Sequence, residues 1–169
     1  MIVVGGVGQL WQGDLDVGRR AAERLAAELE GPDVSVEDFY YGAVAVAQRL
    51  EELQPDTLVL IGAVERGRPP GTVEARVHDD VTAADLRSVQ LAVADAVTGY
   101  VAIDLLVEVA GGLGALPPVT TVIEIEPASI EPGDRLSPEA AHGLEEALDT
   151  ARRTIARLGR QASTAPNRA

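Results

Sequence analysis

The sequence predicts an α/β protein: a three-layer α/β/α sandwich built on a mostly parallel sheet with one antiparallel edge strand. Three observations carry this. Short apolar runs alternate with amphipathic stretches through the first third of the chain, the pattern of right-handed β–α–β crossovers. A turn rich in Pro and Gly then precedes a strand of alternating polarity, as a sheet edge requires. Near the end, a long stretch with one apolar stripe can cover a face of the sheet.

Residues 1–4 are a continuous apolar run entering Gly5-Gly6-Val7-Gly8, a buried strand feeding a loop. After Asp14 the period lengthens. Val17, Ala21, Leu25 and Leu29 recur every four residues, with Arg19, Arg20, Glu23, Arg24 and Glu28 between them, so this is an amphipathic helix. Gly31-Pro32-Asp33 stops it. Residues 34–39 read as a second strand, 43–53 as a helix closed by Pro55-Asp56, and 57–61 (TLVLI) as a third, buried strand. Arg66-Gly67-Arg68-Pro69-Pro70-Gly71 is a turn, and 72–77 alternate as an edge strand does. Helices are expected over about 83–97 and 100–110, parted at Thr98-Gly99 and ended by Gly111-Gly112. Residues 119–126 (VTTVIEIE) read as a strand with one wetter face. Ser137 is a good N-cap, Pro138 suits the first helical position, and Glu139 favours the positive helix end. Leu144, Leu148, Ala151, Ile155 and Leu158 then make the stripe. Residues 1–160 are expected to form one domain, and 161–169, polar and Pro-containing, a disordered tail.

Composition narrows the chemistry. The 169 residues suit one compact domain. All 14 basic residues are arginine against 27 acidic ones, giving a net charge of -13. Without lysine there is no Schiff-base or phosphate-loop lysine chemistry. Such acidity argues against a nucleic-acid partner and against docking on anionic lipid. Cysteine is absent, which excludes disulfides, a thiol nucleophile and thiolate metal sites. His78 and His142 lie far apart, so a histidine-rich zinc site is excluded too. No leader-like start or long apolar run is present, so a cytoplasmic protein without a membrane span is expected.

Ligands collect at the carboxyl ends of parallel strands, which directs attention to the loop from Gly5 to Gly18. A dinucleotide fingerprint fails there: Gly6-x-Gly8 is followed by Trp11 where a third glycine is needed. The whole string, residues 6–18 (GVGQLWQGDLDVG), resembles the opening motif of the hydrogenase maturation proteases, which trim the C-terminus of nickel–iron hydrogenase large subunits. That family reads Gly-(Ile/Val)-Gly-Asn, a short apolar run, then Asp-(Glu/Asp)-Gly-x-Gly. Residues 58–72 (LVLIGAVERGRPPGT) are similar to its third strand and Pro-Gly-Thr turn. Residues 123–138 (IEIEPASIEPGDRLSP) are similar to its late strand and to the Leu-(Ser/Thr)-Pro that opens the last helix.

The resemblance implies the fold of that family, a phosphorylase/hydrolase-like α/β/α sandwich. It also implies recognition of nickel installed in the substrate by two carboxylates and a histidine. The matching positions are Leu15, Gly62 and Tyr100, so the ligand set is lost. Asp14 matches the motif's first Asp, Gln9 stands for its Asn, and Phe39-Tyr40-Tyr41-Gly42 replaces its glycine-rich second loop. Two readings of the nearby acids stay open. Asp14, Asp16 and Asp104 could form an all-carboxylate site for a hard cation. Otherwise Asp14 or Asp16 caps the first helix, while Asp104 and Glu108, sharing a helix face, are solvated charge. His78 is expected in a loop and His142 on the last helix. Trp11, Tyr40, Tyr41 and Tyr100 either refill the old site as a contact surface or close a hole as ordinary core. The candidate crevice therefore comprises Gln9, Trp11, Asp14, Asp16, Tyr40, Tyr41, Tyr100 and Asp104, with no catalytic residue, no bound metal and no cofactor.

The function expected from these residues is hydrogenase maturation without catalysis, with the large subunit or another maturation factor as partner. An active endopeptidase on the large-subunit precursor is the first alternative. A repurposed domain binding a small molecule or a protein is the second.

Overall fold

A computed structural model describes residues 1–29, 31–78 and 102–164. In chain order they form β1 (Ile2–Val7), a 3-10 turn (Gly13–Asp16), α1 (Val17–Leu29), β2 (Val34–Phe39), α2 (Ala43–Leu53), β3 (Thr57–Ala63), β4 (Val73–His78), α3 (Ile103–Gly112), β5 (Val119–Ile125) and α4 (Pro138–Thr164). The five strands lie in the order β2-β1-β3-β5-β4. β1 runs parallel to β2 and β3, and β3 parallel to β5, while β4 pairs antiparallel with β5 at the edge. This is the expected mostly parallel sheet with one antiparallel edge strand.

Strand alternation divides the interior into two cores. Leu58 and Leu60 of β3 face α2 and α3 and join Val3, Val7, Phe39, Ile103 and Val122. Val59 and Ile61 face the other way, among Val17, Leu25, Ile123, Ile125 and Leu148 of the α1/α4 side. The stripe read on the last helix is therefore the lid of the second core, with Ala151, Ile155 and Leu158 continuing it.

Several boundaries move. β1 runs through Gly5 and Gly6, which the sequence reading assigned to the loop. A side chain at Gly5 would meet the Phe39 ring at 2.3 Å, so the missing Cβ is what lets that ring lie on the strand. α4 continues to Thr164, beyond the expected end of the domain at residue 160. The third helix begins at Ile103. The helix expected over 83–97 and the start at Tyr100 lie outside the described residues. No helix among the described residues is long and apolar enough to cross a membrane.

The seating of α1 fixes the site's position. A Cβ on Gly6 would lie 2.2 Å from the Gly18 carbonyl oxygen. One on Gly18 would lie 2.1 Å from the Val7 carbonyl oxygen and 2.3 Å from that of Ile61. The first turn of α1 thus rests backbone to backbone on the ends of β1 and β3, holding the 3-10 turn over the carboxyl edge of the sheet. Gly18→Ala is expected to cost about 3 kcal/mol, the upper part of the range for overpacking, read as a lower urea midpoint. Parent-like stability would contradict this seating.

Candidate functional site

The site assembles from the loop after β1, the loop after β3, the first turn of α3 and the segment joining β5 to α4. Asp14, in the 3-10 turn, is buried. Its carboxylate accepts hydrogen bonds from the backbone N–H of Ala128 (2.9 Å), Ser129 (3.2 Å) and Ser137 (2.6 Å), and from the Ser137 hydroxyl (2.8 Å). Ser137 Oγ in turn accepts from the Ala140 N–H at 3.0 Å, capping α4 as its sequence signal indicated. Asp14 therefore serves α4, 123 residues away, and not the helix that follows it, which rules it out of the reading in which Asp14 or Asp16 caps α1. Asp16 is equally buried and is held by Arg19 (2.5 and 2.8 Å) and Arg20 (2.8 Å) within the first turns of α1.

Between these two acids, Leu15 is half-buried, and its N–H donates to the Gln12 carbonyl at 3.1 Å. Gln9 Nε2 and Asp38 Oδ1 are buried without a partner among the described residues. Burial raises the Asp38 carboxyl above its ordinary range, against the opposing charge of Arg19. Trp11 takes a left-handed φ of 65°, an outlier for a bulky residue, and stands 70% exposed. Backbone bonds pin it there: Gly133 N–H donates to the Trp11 carbonyl, and Gly13 N–H to the Gly133 carbonyl, both at 2.9 Å.

The expected aromatic cluster separates into two kinds of position. Tyr40 is 60% exposed, whereas Tyr41 is half-buried with its ring edge-on to Phe39 at 6.2 Å and to Tyr40 at 5.4 Å. Trp11 and Tyr40 stand on loops leaving adjacent strands, since Val7 and Phe39 are register partners. Exposure sets these two apart from ordinary core. Tyr100 lies outside the described residues.

The register exposes what stands beside Gly62, the second ligand position that the resemblance implies. Gly62 pairs with Val7 on one side and with Glu124 on the other, and Glu124 pairs in turn with Glu74. Register partners share a face, so the Glu124 carboxylate rises one strand spacing, about 4.8 Å, from Gly62. Glu124 is 2% exposed and lies under three guanidinium groups. Arg66 reaches it at 2.7 and 3.2 Å, Arg76 at 2.7 Å and Arg68 at 3.0 Å. Arg66 and Arg76 also bind Asp104 of α3, at 2.8 and 2.9 Å. Glu126 accepts from Arg68 (3.1 Å) and from the backbone N–H of Arg66 and Gly67. Burial on its own would raise the Glu124 carboxyl. The hydrogen bonds and charges of Arg66 and Arg76 outweigh that and hold it at about 2. An open cleft of ≈ 550 Å³ lies over this lattice. The wetter face expected for the last strand is thus corrected: its acids are buried under arginines, not solvated.

The all-carboxylate alternative is not assembled. Asp14 belongs to the α4 cap, Asp16 to Arg19 and Arg20, and Asp104 to Arg66 and Arg76. Among the described residues no group of three His, Asp or Glu is placed to hold a metal ion. His78 ends β4 and does not lie in a loop, and His142 is exposed on α4. Gly62 has no room for a ligand either. A Cβ there would meet Ile103 Cδ1 at 2.7 Å and the Val7 carbonyl oxygen at 2.8 Å.

This architecture has close counterparts among solved structures. A hydrogenase 2 maturation peptidase from a Thaumarchaeota archaeon aligns at 25% identity over 91% of this chain and 97% of its own, with a TM-score of 0.63. An endopeptidase from Escherichia coli aligns at 26% identity over 89% and 88%, with a TM-score of 0.64. The hydrogenase maturating endopeptidase HybD from Escherichia coli shares the fold at 23% identity over 94% and 93%, with a TM-score of 0.65. The chain resembles the hydrogenase maturation proteases. No family model and no curated protein matches it.

Against the pattern of the hydrogenase maturation proteases, the arginine lattice is what sequence reasoning missed. Its signal was present as Arg66-x-Arg68 and Arg76 facing Glu124-x-Glu126. The first two stood in a segment read as a turn, and the pairing across 48 to 60 residues needs the sheet register.

Two outcomes follow from this geometry. Glu124, depressed in the fold, stabilises it fully above its ordinary value of 4.5, and this contribution is lost as pH falls towards about 2. Urea midpoints should fall through that window, and less steeply for Glu124→Gln, which is also less stable at neutral pH; equal slopes would contradict the lattice. Gly62→Asp should destabilise by about 1–3 kcal/mol through overpacking and bind no nickel in titration, with Ile103→Ala recovering part of the loss. A fully stable, metal-binding single variant would overturn the filled position.

Proposed function

We propose that this chain is a maturation-protease-like assembly protein that docks on the large-subunit precursor of a nickel–iron hydrogenase, in the cytoplasm, without cleaving it. One observation carries the non-catalytic reading. The second ligand position, Gly62, is packed by Ile103 and Val7 and flanked by Glu124, whose charge is already taken by three arginines. Leu15 adds no donor. Nickel here is a feature of the substrate, and a crevice edged by guanidinium groups disfavours a bare cation by charge as well as by ligand supply.

The docking reading rests on the loops at the carboxyl edge. Trp11 and Tyr40, with Leu10, present exposed apolar surface on segments held by backbone hydrogen bonds and strand ends. Large aromatic side chains on a rigid base make good anchors for a protein partner. The strained φ of Trp11 fits a residue kept in place for a contact.

Mixing the protein with nickel-loaded precursor tests both parts. The precursor mass should stay unchanged while a complex appears by size exclusion. Trp11→Ala should weaken that complex at least ~10-fold with the fold intact, since anchors of this kind carry about 2 kcal/mol or more. Release of a C-terminal peptide would establish the endopeptidase alternative. No complex at high micromolar concentrations would remove the docking reading.

A further inference from the structure

Most of the described arginines are matched to carboxylates. Arg19 and Arg20 hold Asp16, Arg24 binds Glu145, Arg49 binds Glu37 and Glu52, and Arg152 binds Glu28 and Asp149. Arg66, Arg68 and Arg76 form the lattice on Glu124. With 27 acids for 14 arginines, such pairing is easily met. Arg153 and Arg157 depart from it. Both are exposed on α4, four residues apart and so on one face. Neither has a carboxylate partner among the described residues; Arg153 donates instead to the Thr150 hydroxyl at 3.0 Å.

These two side chains line one cleft of ≈ 360 Å³ between α4 and the edge strand β4, together with Thr150, Thr154, Val77 and Thr121. Thr121 supplies an independent observation. Its side chain is on the α4 face of β5, opposite Val77 in register, and the residue is 2% exposed. Its hydroxyl is buried with no hydrogen-bond partner among the described residues. Buried polar atoms are nearly always satisfied, so an orphan hydroxyl at a cleft points to a group supplied from outside.

We infer that this cleft is a binding site for an oxyanion, a phosphate or carboxylate group carried by a small molecule. Arg153 and Arg157 would hold it through paired N–H donors, whose fork matches two oxygens of such a group. The Thr121 hydroxyl is an unused donor sealed just beneath this cleft, within reach of a ligand once the side chains over it shift, and the cleft volume suits a small ligand. The site lies on the opposite face of the sheet from the arginine lattice. It is independent of the docking proposal, and its test uses no precursor.

Amide shifts followed by NMR while sodium phosphate, and separately sodium citrate, is added would test it, with sodium chloride of equal ionic strength as reference. Saturable shifts centred on Thr121, Thr150 and Arg157 are expected with at least one oxyanion and not with chloride, and the stronger titrant names the group. The double variant Arg153→Gln, Arg157→Gln should weaken binding at least ~10-fold, and Thr121→Val, close in shape, should weaken it while leaving the fold intact. Shifts that grow linearly with salt, that centre elsewhere, or that survive the double variant would overturn the assignment.

Discussion

Asp14 ties the first loop of the chain to its last helix, and the arrangement of the site depends on that tie. A carboxylate buried this completely is tolerable where its oxygens are fully used by donors. Here two backbone N–H groups before α4, the N–H of its cap residue and that residue's hydroxyl supply them. Beside them, the backbone bonds between Gly133 and Trp11 and between Gly13 and Gly133 form the Gln12–Gly133 bridge and hold Trp11 in its left-handed conformation. The close backbone contact of Gly18 with β1 and β3 completes the frame from below. The shape of the carboxyl edge is set by this frame, which decides how Trp11 and its neighbours are presented there.

Beside the frame, charge has been reorganised. In the resemblance, the crevice reads a metal with carboxylates and a histidine. In this chain the row Val7, Gly62, Glu124 and Glu74 has no side chain at Gly62, where Ile103 packs, and places a saturated carboxylate next to it. Arg66 and Arg76 bridge Glu124 to Asp104, so the lattice also fastens α3 to the sheet edge. Arginine suits this work because its planar fork satisfies two acceptors at once. An acidic chain with arginine as its sole base thus turns several of its acids into structural cement.

The electrostatic picture departs from what the net charge alone implies. A charge of -13 reads as a uniformly solvated acidic surface. Asp14, Asp16, Glu124 and Glu126 are instead buried, each through specific donors. Asp16, Glu124 and Glu126 are held by arginines and Asp14 by backbone donors and a hydroxyl, which leaves Arg153 and Arg157 without a carboxylate partner among the described residues.

Sequence alone determined the layers, the parallel sheet with its antiparallel edge and the cap of α4, because each depends on local signals: period, turn residues, an N-cap serine followed by proline. It could not determine that Glu124 is buried, that Asp14 reaches Ser137, or that Ile103 fills the space at Gly62. Those facts depend on register and on which helix lies over which strand. An alternating strand has the same spelling whether its polar face meets water or arginines, and a carboxylate carries no mark of a partner more than a hundred residues away. Only the packing of α1, α3 and α4 on one sheet settles which acids are structural, which arginines are spent, and which groups are left to meet a ligand.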